Sequence, residues 1–144
     1  MTLSELTSLL FQEINFNLPG EKAHELMAPY KREKASSINI PDKNPKQSAV
    51  LMLIYPKNDI PHFTLIQRTA YEGTHGGQIS FPGGKQEAEE SLKETALRET
   101  FEEIGVAPDK IQVLGEITQI YIPPSNFLVS PFIGFVDFEP VFTP

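Results

Sequence analysis

Cysteine is absent from this chain of 144 residues, and long apolar runs are absent as well. The lack of cysteine excludes disulfide bonds and any metal site built on thiolates. The longest apolar run extends from Ala49 to Tyr55, far short of the roughly 20 residues that a membrane-spanning helix needs. The N-terminus lacks the basic stretch and apolar core of a secretion signal. We therefore expect a cytoplasmic protein that does not enter a membrane.

Positive charge is also scarce, because 12 lysines and arginines stand against 19 aspartates and glutamates, for a formal net charge of −7. The basic cluster Lys31-Arg32-Glu33-Lys34 is too small for a nucleic-acid-binding surface, so we expect no nucleic-acid partner. The sequence has no internal repeat, no low-complexity tract, no P-loop and no HExxH motif. Its length and its 40% hydrophobic residues fit one soluble domain with an ordinary core.

The middle of the chain contains the signals of a helix start and a helix end. Ser91 and Glu94 have the spacing of a capping box, in which each residue satisfies a backbone N–H of the first turn. Gly105 suits the left-handed position just past a helix end, and Pro108 prevents the helix from continuing. The spacing therefore predicts a helix between Ser91 and Gly105.

One face of this predicted helix gathers acidic side chains. At 100° per residue, Glu99, Glu102 and Glu103 fall within an arc of about 100°. We expect the opposite side to pack through Leu97, Phe101 and Ile104. Charged helix faces are usually just solvated. However, like charges at this spacing destabilise a helix by roughly 0.2–0.5 kcal/mol per pair, and the helix dipole disfavours Glu103 in the last turn. The pattern therefore favours a site where cations neutralise the carboxylates.

Together with the glycine pair ahead of it, this helix resembles the Nudix box, G-x5-E-x7-R-E-U-x-E-E-x-G-U with U an aliphatic residue. The matching residues are Gly84, Glu90, Arg98, Glu99, Glu102, Glu103, Gly105 and Val106. One position departs, since Thr100 stands where the family has an aliphatic residue, at the predicted edge of the packing face. The resemblance implies a Nudix-type α/β/α sandwich with a mixed sheet and a central catalytic loop and helix.

The resemblance also implies an enzyme, a Nudix pyrophosphohydrolase acting on a nucleoside diphosphate linked to another group. Glu99, Glu102 and Glu103 would bind the metal together with the carbonyl of Gly83. Oxygen ligands of this kind suit Mg²⁺, with Mn²⁺ as the alternative. An acidic protein would otherwise repel a pyrophosphate, so bridging metal ions agree with the net charge.

Arg98 would orient the acidic cluster through charge-assisted hydrogen bonds, with Glu90 as its expected partner. Glu103 is the first candidate for the general base, and an acidic residue of a later loop is the alternative. In the implied mechanism Glu99, Glu102, Glu103 and Arg98 are thus the catalytic set.

The stretch before the box resembles the coenzyme A pyrophosphatase branch of the family, L-L-T-x-R-[SA]-x3-R-x3-G-x3-F-P-G-G. The residues that match are Arg68, Gly77, Phe81, Pro82, Gly83 and Gly84. The residues that depart are Thr64, Ile66, Thr69 and Gly73, the last replacing an arginine. The branch implies hydrolysis of coenzyme A or its thioesters to phosphopantetheine and adenosine bisphosphate. Arg68 and Gly84 would contact the substrate, although Arg68 could equally pair with a neighbouring glutamate.

The remaining pattern predicts helices and strands around this centre. The predicted helices are Ser4 to Gln12 and Gly20 to Met27, and Pro41 to Lys46 is a predicted linker. The predicted strands are Ser48 to Tyr55, His62 to Arg68, Ile111 to Tyr121 and Val129 to Phe138. We expect residues 1–46 to form a helical extension with its linker and residues 47–144 to form the Nudix hydrolase domain.

Between the last two strands, Pro123-Pro124 predicts a stiff loop flanked by Tyr121 and Phe127. These rings could stack on adenine or a thiol arm, or both could pack into the core. The family usually continues past this point with further elements. We therefore expect either a truncated C-terminal end or an element borrowed from a second subunit of a homodimer.

Two other functions remain open from the sequence. One is a Nudix hydrolase for ADP-ribose, a nucleotide sugar or a dinucleoside polyphosphate. The other is a non-catalytic nucleotide-binding module that keeps the fold. The intact acidic residues at 99, 102 and 103 argue against the second, because a pure binding module has no need of them.

Overall fold

The computed structural model describes residues 1–27, 40–67 and 77–143. Its α-helices are α1 (Leu3–Phe16), α2 (Glu21–Met27), α3 (Ile40–Lys43) and α4 (Leu92–Ile104). Its strands are β1 (Lys46–Lys57), β2 (Ile60–Phe63), β3 (Ile66–Gln67), β4 (Ile79–Ser80), β5 (Gly83–Lys85), β6 (Gln112–Glu116), β7 (Ile120–Ile122) and β8 (Phe127–Phe135). Short 3₁₀ turns at Pro108–Lys110 and Pro123–Ser125 complete the described elements.

Two long parallel strands form the centre of the main sheet. Strands β1 and β8 pair in register from Lys46 opposite Phe127 to Ile54 opposite Phe135. Antiparallel strands flank each of them at both ends: β5 and β2 pair with β1, and β7 and β6 pair with β8. The sheet is therefore mixed, as predicted, and β5 and β7 lie at the same end of it. Strands β3 and β4 form a separate small antiparallel pair.

Helices cover both faces of this sheet. Ala49, Leu51 and Leu53 alternate along β1 and are fully buried in one core with Ala96 and Ile104 of α4. On the other face α1 packs against β6, where Ile14 lies over Gly115 so closely that an added Cβ would stand 2.7 Å from its Cγ2 atom. The chain thus adopts the predicted α/β/α sandwich.

Most predicted elements are present with shifted ends. Helix α1 continues past the predicted end at Gln12, and part of the predicted linker from Pro41 to Lys46 belongs to α3. The predicted strand from Ile111 to Tyr121 is divided into β6 and β7. Its partner β8 contains Pro131, which has no N–H to donate, and the ladder of β6 ends next to it.

The predicted strand from His62 to Arg68 is also divided, into β2 and β3. After the N–H of Thr64 donates to the carbonyl of Leu53, the chain leaves β1 and β3 pairs with β4 instead. Arg68 and the cluster from Lys31 to Lys34 lie outside the described residues. Within the three described ranges, no helix is long and apolar enough to cross a membrane.

Candidate functional site

Helix α4 begins and ends at the residues that the sequence indicates. The Ser91 hydroxyl accepts a hydrogen bond from the Glu94 N–H at 3.2 Å, and the Glu94 carboxylate accepts one from the Ser91 N–H at 2.7 Å. Gly105 ends the helix with φ at +76°, a conformation that favours glycine. The N–H of Thr143 satisfies the last-turn carbonyl of Ile104 at 3.1 Å. Both ends of the helix are therefore fixed.

The packing face of α4 differs from the predicted one. Its buried residues are Thr95, Ala96, Thr100 and Ile104. Phe101 is 51% exposed, so the prediction that it packs with Leu97 and Ile104 was wrong. The buried stripe follows i, i+4 spacing through Ala96, Thr100 and Ile104, and Phe101 lies about 100° away from it. Thr100, predicted at the edge, is instead fully buried, and its hydroxyl donates to the carbonyl of Ala96 at 2.7 Å.

Arg98 is the centre of the acidic cluster. Its Nε and Nη2 atoms donate to the two carboxylate oxygens of Glu90, at 3.0 and 2.9 Å. Its Nη1 atom donates to Glu99 at 3.0 Å and to Glu102 at 3.3 Å, and Nη2 also reaches the carbonyl of Lys85 at 3.2 Å. One guanidinium thus joins the turn before the helix to two of the three predicted metal ligands.

Glu90 is the most firmly held carboxylate of this group. Its side chain is 14% exposed, and it accepts further hydrogen bonds from the Glu87 N–H and the Thr95 hydroxyl, each at 2.8 Å. The hydrogen bonds from Arg98 lower the pKa of Glu90 to about 2 against the opposing effect of burial, and the Glu87 and Thr95 bonds assist. The hydrogen bonds to Glu90, with smaller contributions from Glu99 and Glu102, raise the pKa of Arg98. The pair therefore stays ionised at ordinary pH.

The glycine pair on β5 brings the backbone up against α4. The N–H of Gly83 donates to the Glu103 carboxylate at 2.8 Å. A Cβ on Gly84 would occupy the space that the Glu99 carboxylate fills. A Cβ on Gly83 would collide with the β1 backbone at Ala49 and Val50, and its φ of +154° is also one that side chains rarely adopt. Only glycine at both positions allows this close approach.

The donor set suits a hard divalent cation in chemical type. Glu99, Glu102 and Glu103 supply carboxylate oxygens; Glu99 and Glu103 lie against the Gly83-Gly84 backbone, and Glu102 is joined to Glu99 through Arg98. In this conformation Arg98 holds the first two and the Gly83 N–H holds the third. Accordingly, within the described ranges no group of three or more His, Cys, Asp or Glu residues stands in a geometry that could hold an ion. An ion would have to draw Glu99 and Glu102 away from Nη1 of Arg98.

The other predicted substrate contacts lie in different surroundings. Tyr121 on β7 is only 8% exposed, and its hydroxyl donates to Asn126 at 2.9 Å, so its ring has no open face. We therefore do not propose it as a stacking residue. Phe127 is half-buried, with Nζ of Lys46 lying 5.6 Å from its ring centroid. Arg68 lies outside the described residues.

Sequence reasoning missed two contacts of this site. The Thr95 hydroxyl on Glu90 and the Lys85 carbonyl on Arg98 both come from residues that the motif leaves unspecified. Thr95 falls on the predicted acidic side, about 20° from Glu102 around the helix, so its one signal was a hydroxyl one turn past the helix start, within reach of a neighbouring acceptor. The Lys85 carbonyl has no comparable signal, since it depends on the path of β5.

Comparisons with known proteins identify the family of this chain. The family described as the NUDIX domain matches residues 45–141. Nudix hydrolase 3 from Caenorhabditis elegans is 30% identical over 125 residues, which cover 87% of this chain and 47% of that protein. The Nudix hydrolase NudL of Pectobacterium atrosepticum, described as uncharacterized, is 38% identical over 104 residues, covering 69% of this chain and 51% of that protein. The chain thus spans about half the length of these relatives.

Solved structures share the same fold. The crystal structure of a Caenorhabditis elegans Ap4A hydrolase binary complex has a TM-score of 0.56 with this chain. It is 17% identical, and the match covers 68% of this chain and 71% of that one. At this identity the likeness concerns the fold alone.

Proposed function

The chain belongs to the Nudix hydrolase family, and from that premise we propose that it hydrolyses a pyrophosphate bond in a nucleoside diphosphate derivative with the help of Mg²⁺. The observation that carries this proposal is the placement of Glu99 against Gly84 and of Glu103 on the Gly83 N–H, with Arg98 joining Glu99 to Glu102. A helix that used these carboxylates only for solubility would not need glycine at position 84, where a Cβ would occupy the space of the Glu99 carboxylate.

The proposed roles follow from these contacts. Glu99, Glu102, Glu103 and the Gly83 carbonyl would hold Mg²⁺, or Mn²⁺ in its place. When bound, the ion supplies charge neutralisation on the phosphoryl oxygens and a lowered pKa of an attacking water. The hydrogen bond from the Gly83 N–H orients the Glu103 carboxylate, so Glu103 is the residue we propose to accept the proton of that water. Arg98 bridges Glu99 and Glu102 through its Nη1 atom and offsets part of their negative charge.

The proposed substrate is coenzyme A or one of its thioesters, giving phosphopantetheine and adenosine bisphosphate. Support comes from the run Phe81-Pro82-Gly83-Gly84 with Gly77 at the branch spacing. Within that run, Pro82 is fully buried and its carbonyl accepts a hydrogen bond from the N–H of Leu51. The match therefore coincides with the segment that aligns β5 on β1.

A second candidate is a Nudix hydrolase for another nucleotide derivative, such as ADP-ribose, a nucleotide sugar or a dinucleoside polyphosphate. One observation favours it: Gly73 stands where the coenzyme A branch has an arginine. An arginine fork that binds phosphate bidentately is not replaced by glycine without loss of that contact. The acidic site itself would be the same for either substrate class.

A substrate panel tests both proposals. The chain would be incubated with coenzyme A, acetyl-coenzyme A, ADP-ribose, a nucleotide sugar and diadenosine tetraphosphate, each with Mg²⁺, with Mn²⁺ and with EDTA. Products would be identified by ³¹P NMR and liquid chromatography. We expect metal-dependent cleavage of coenzyme A, abolished by EDTA and by Glu103→Gln but not by the surface variant Glu139→Gln, whose carboxylate pairs with Lys57.

Each outcome discriminates among the candidates. Cleavage of the other nucleotides without cleavage of coenzyme A removes the first candidate and supports the second. Absence of any metal-dependent product across the panel, with a folded protein, removes the hydrolase and leaves the binding module.

A further inference from the structure

A buried hydroxyl on α4 lies behind the acidic site. Thr95 is fully buried, and its Oγ1 atom stands 2.8 Å from Oε1 of Glu90 and 3.1 Å from the carbonyl oxygen of Ser91. A threonine hydroxyl has one hydrogen to donate. Because the carboxylate is charged and nearer, and hydrogen bonds to charged acceptors are the stronger ones, the hydrogen goes to Glu90.

This bond helps to determine how Glu90 faces Arg98. Oε1 of Glu90 receives the Glu87 N–H, the Thr95 hydroxyl and Nη2 of Arg98, whereas Oε2 receives Nε of Arg98. Two donors that do not belong to Arg98 therefore fix one oxygen, and the other oxygen is left for the guanidinium. With both oxygens fixed, the guanidinium plane is fixed as well.

The orientation of the Arg98 guanidinium plane matters because its third nitrogen, Nη1, faces two of the proposed metal ligands. Nη1 reaches Glu99 and Glu102 at 3.0 and 3.3 Å while Nε and Nη2 remain on Glu90. If the hold on Glu90 loosened, the fork would be able to turn and engage Glu99 or Glu102 with two nitrogens. Those carboxylates would then be harder for a cation to withdraw.

Thr100 provides an internal comparison on the same helix. It is also fully buried, but its hydroxyl donates to the carbonyl of Ala96 at 2.7 Å, one turn back. The two threonines share residue type, helix and burial. They differ in the acceptor, which is the helix backbone for Thr100 and a charged side chain for Thr95. Burial alone therefore does not explain why the Thr95 hydroxyl donates to a charged side chain.

We propose that Thr95 is a positioning residue for Arg98, acting through Glu90, so that Arg98 holds Glu99 and Glu102 through Nη1 alone. Its expected effect on turnover rests on the proposed function. The expected effects on the Arg98 side chain and on cation binding do not require that the chain hydrolyse any particular substrate.

The test compares Thr95→Val, which keeps the shape and removes the hydroxyl, with Thr95→Ser, which keeps the hydroxyl. Thr100→Val is the matched control. The first readout is the ¹⁵N–¹H signal of Nε of Arg98, assigned by its loss in Arg98→Lys. The second is Mn²⁺ affinity by titration, and the third is kcat and KM on whichever substrate the panel identifies. Thermal unfolding is measured for every variant.

We expect Thr95→Val to shift and broaden the Arg98 signal, to weaken Mn²⁺ binding about tenfold and to lower kcat about tenfold with KM unchanged, the factor that a lost hydrogen bond to a charged group implies. Thr95→Ser should restore all three values. Thr100→Val should leave them unchanged even if its stability falls as much as that of Thr95→Val. Thr95→Ala removes the same hydroxyl and replaces Thr95→Val if that variant does not fold.

The proposal is overturned if the hydroxyl-free variants keep the wild-type Arg98 signal and Mn²⁺ affinity, which would make Thr95 a purely structural residue. It is also overturned if Thr95→Ser fails to restore them, or if Thr100→Val changes them equally. Should no variant and no wild-type sample hydrolyse any substrate, the proposed function fails, and the Arg98 signal still decides the role of Thr95.

Discussion

Arg98 faces two groups of carboxylates, and the two are held very differently. On one side Glu90 is mostly buried and accepts hydrogen bonds from Arg98, Thr95 and the Glu87 backbone. On the other side Glu102 is 55% exposed, and among the described residues its side chain is held by the single Nη1 nitrogen at 3.3 Å. The same arginine therefore forms a fixed structural pair and a loose, exchangeable one.

The difference in solvent exposure determines how much the contacts of Arg98 with Glu90 and with Glu102 contribute to stability. Hydrogen bonds to a charged group that is shielded from water contribute about 1.5–3 kcal/mol each, whereas an exposed ion pair at i, i+4 spacing contributes about 0.3–0.5 kcal/mol. Substitutions on the Glu90 side should thus appear in stability, in addition to any effect that they have through the position of Arg98. Substitutions on the Glu102 side should appear in activity and leave stability nearly unchanged.

The largest expected effect is on turnover. Glu102→Gln and Glu103→Gln each remove a charge that we assign to metal binding or proton transfer while conserving shape. Each should lower kcat by about 10²–10⁴, the usual range for a lost charge-stabilising or acid–base group. The free energy of unfolding should change by less than about 1 kcal/mol for Glu102, because its contacts are exposed. Steady-state kinetics and urea unfolding measure the two quantities.

Glu139→Gln, which changes an exposed carboxylate away from the acidic site, is the control for this pair of variants. Wild-type turnover in both glutamine variants would show that neither Glu102, on the exchangeable side of Arg98, nor Glu103, on the Gly83 N–H, has a catalytic role.

Substitutions of the glycine pair give the next largest effect. They distinguish a clash with the β1 backbone, at Gly83, from a clash with the Glu99 carboxylate, at Gly84. Gly83→Ala should destabilise the fold by about 2–4 kcal/mol, because its Cβ would meet the β1 backbone at Ala49 and Val50 in a strained conformation. Gly84→Ala meets only the end of the Glu99 side chain, which can move aside. It should therefore cost less than about 1 kcal/mol.

Gly84→Ala should instead weaken Mn²⁺ binding, since Glu99 is pushed from its place. Urea unfolding and Mn²⁺ titration of both variants check this division. If both variants lost the same stability, this division would be contradicted, and Glu99 would contribute to the stability of the fold as Glu90 does.

The smallest expected effect concerns Glu90 and has a defined pH range. Glu90→Gln should lower the free energy of unfolding by about 1–3 kcal/mol at neutral pH. The pKa of Glu90 falls from 4.5 to about 2 on folding, so its contribution is fully present above pH 4.5 and is lost as the pH falls toward 2. Wild-type stability should therefore decline more steeply than that of Glu90→Gln between pH 4.5 and pH 2. Parallel declines in denaturant titrations across that range would show that Glu90 carries no such linkage.

The sequence was sufficient for those parts of the fold and site that depend on neighbouring residues. The ends of α4 follow from Ser91, Glu94 and Gly105, whose effects are local to the chain. The contact between Arg98 and Glu90 could be anticipated from two charged residues at motif spacing. The mixed sheet came from the family resemblance rather than from periodicity.

Other features depend on distant partners and could not be read in the same way. Phe101 is exposed because the sheet contacts the Ala96–Thr100 side of α4, which helical spacing alone does not specify. The division of β6 from β7 depends on Pro131 in the partner strand. Tyr121 is buried, and its hydroxyl donates to Asn126, a residue of the following loop in the left-handed conformation.

The parallel ladder between β1 and β8 has a consequence for how the chain folds. Lys46 must meet Phe127 with every element from β2 to β7 lying between them in the sequence. Closing so long a loop is entropically costly, and non-local parallel pairing slows folding. During synthesis β1 would leave the ribosome well before its central partner, with Leu51 and Leu53 uncovered on it. We therefore expect the nascent chain to be most prone to aggregation in the interval before β8 emerges.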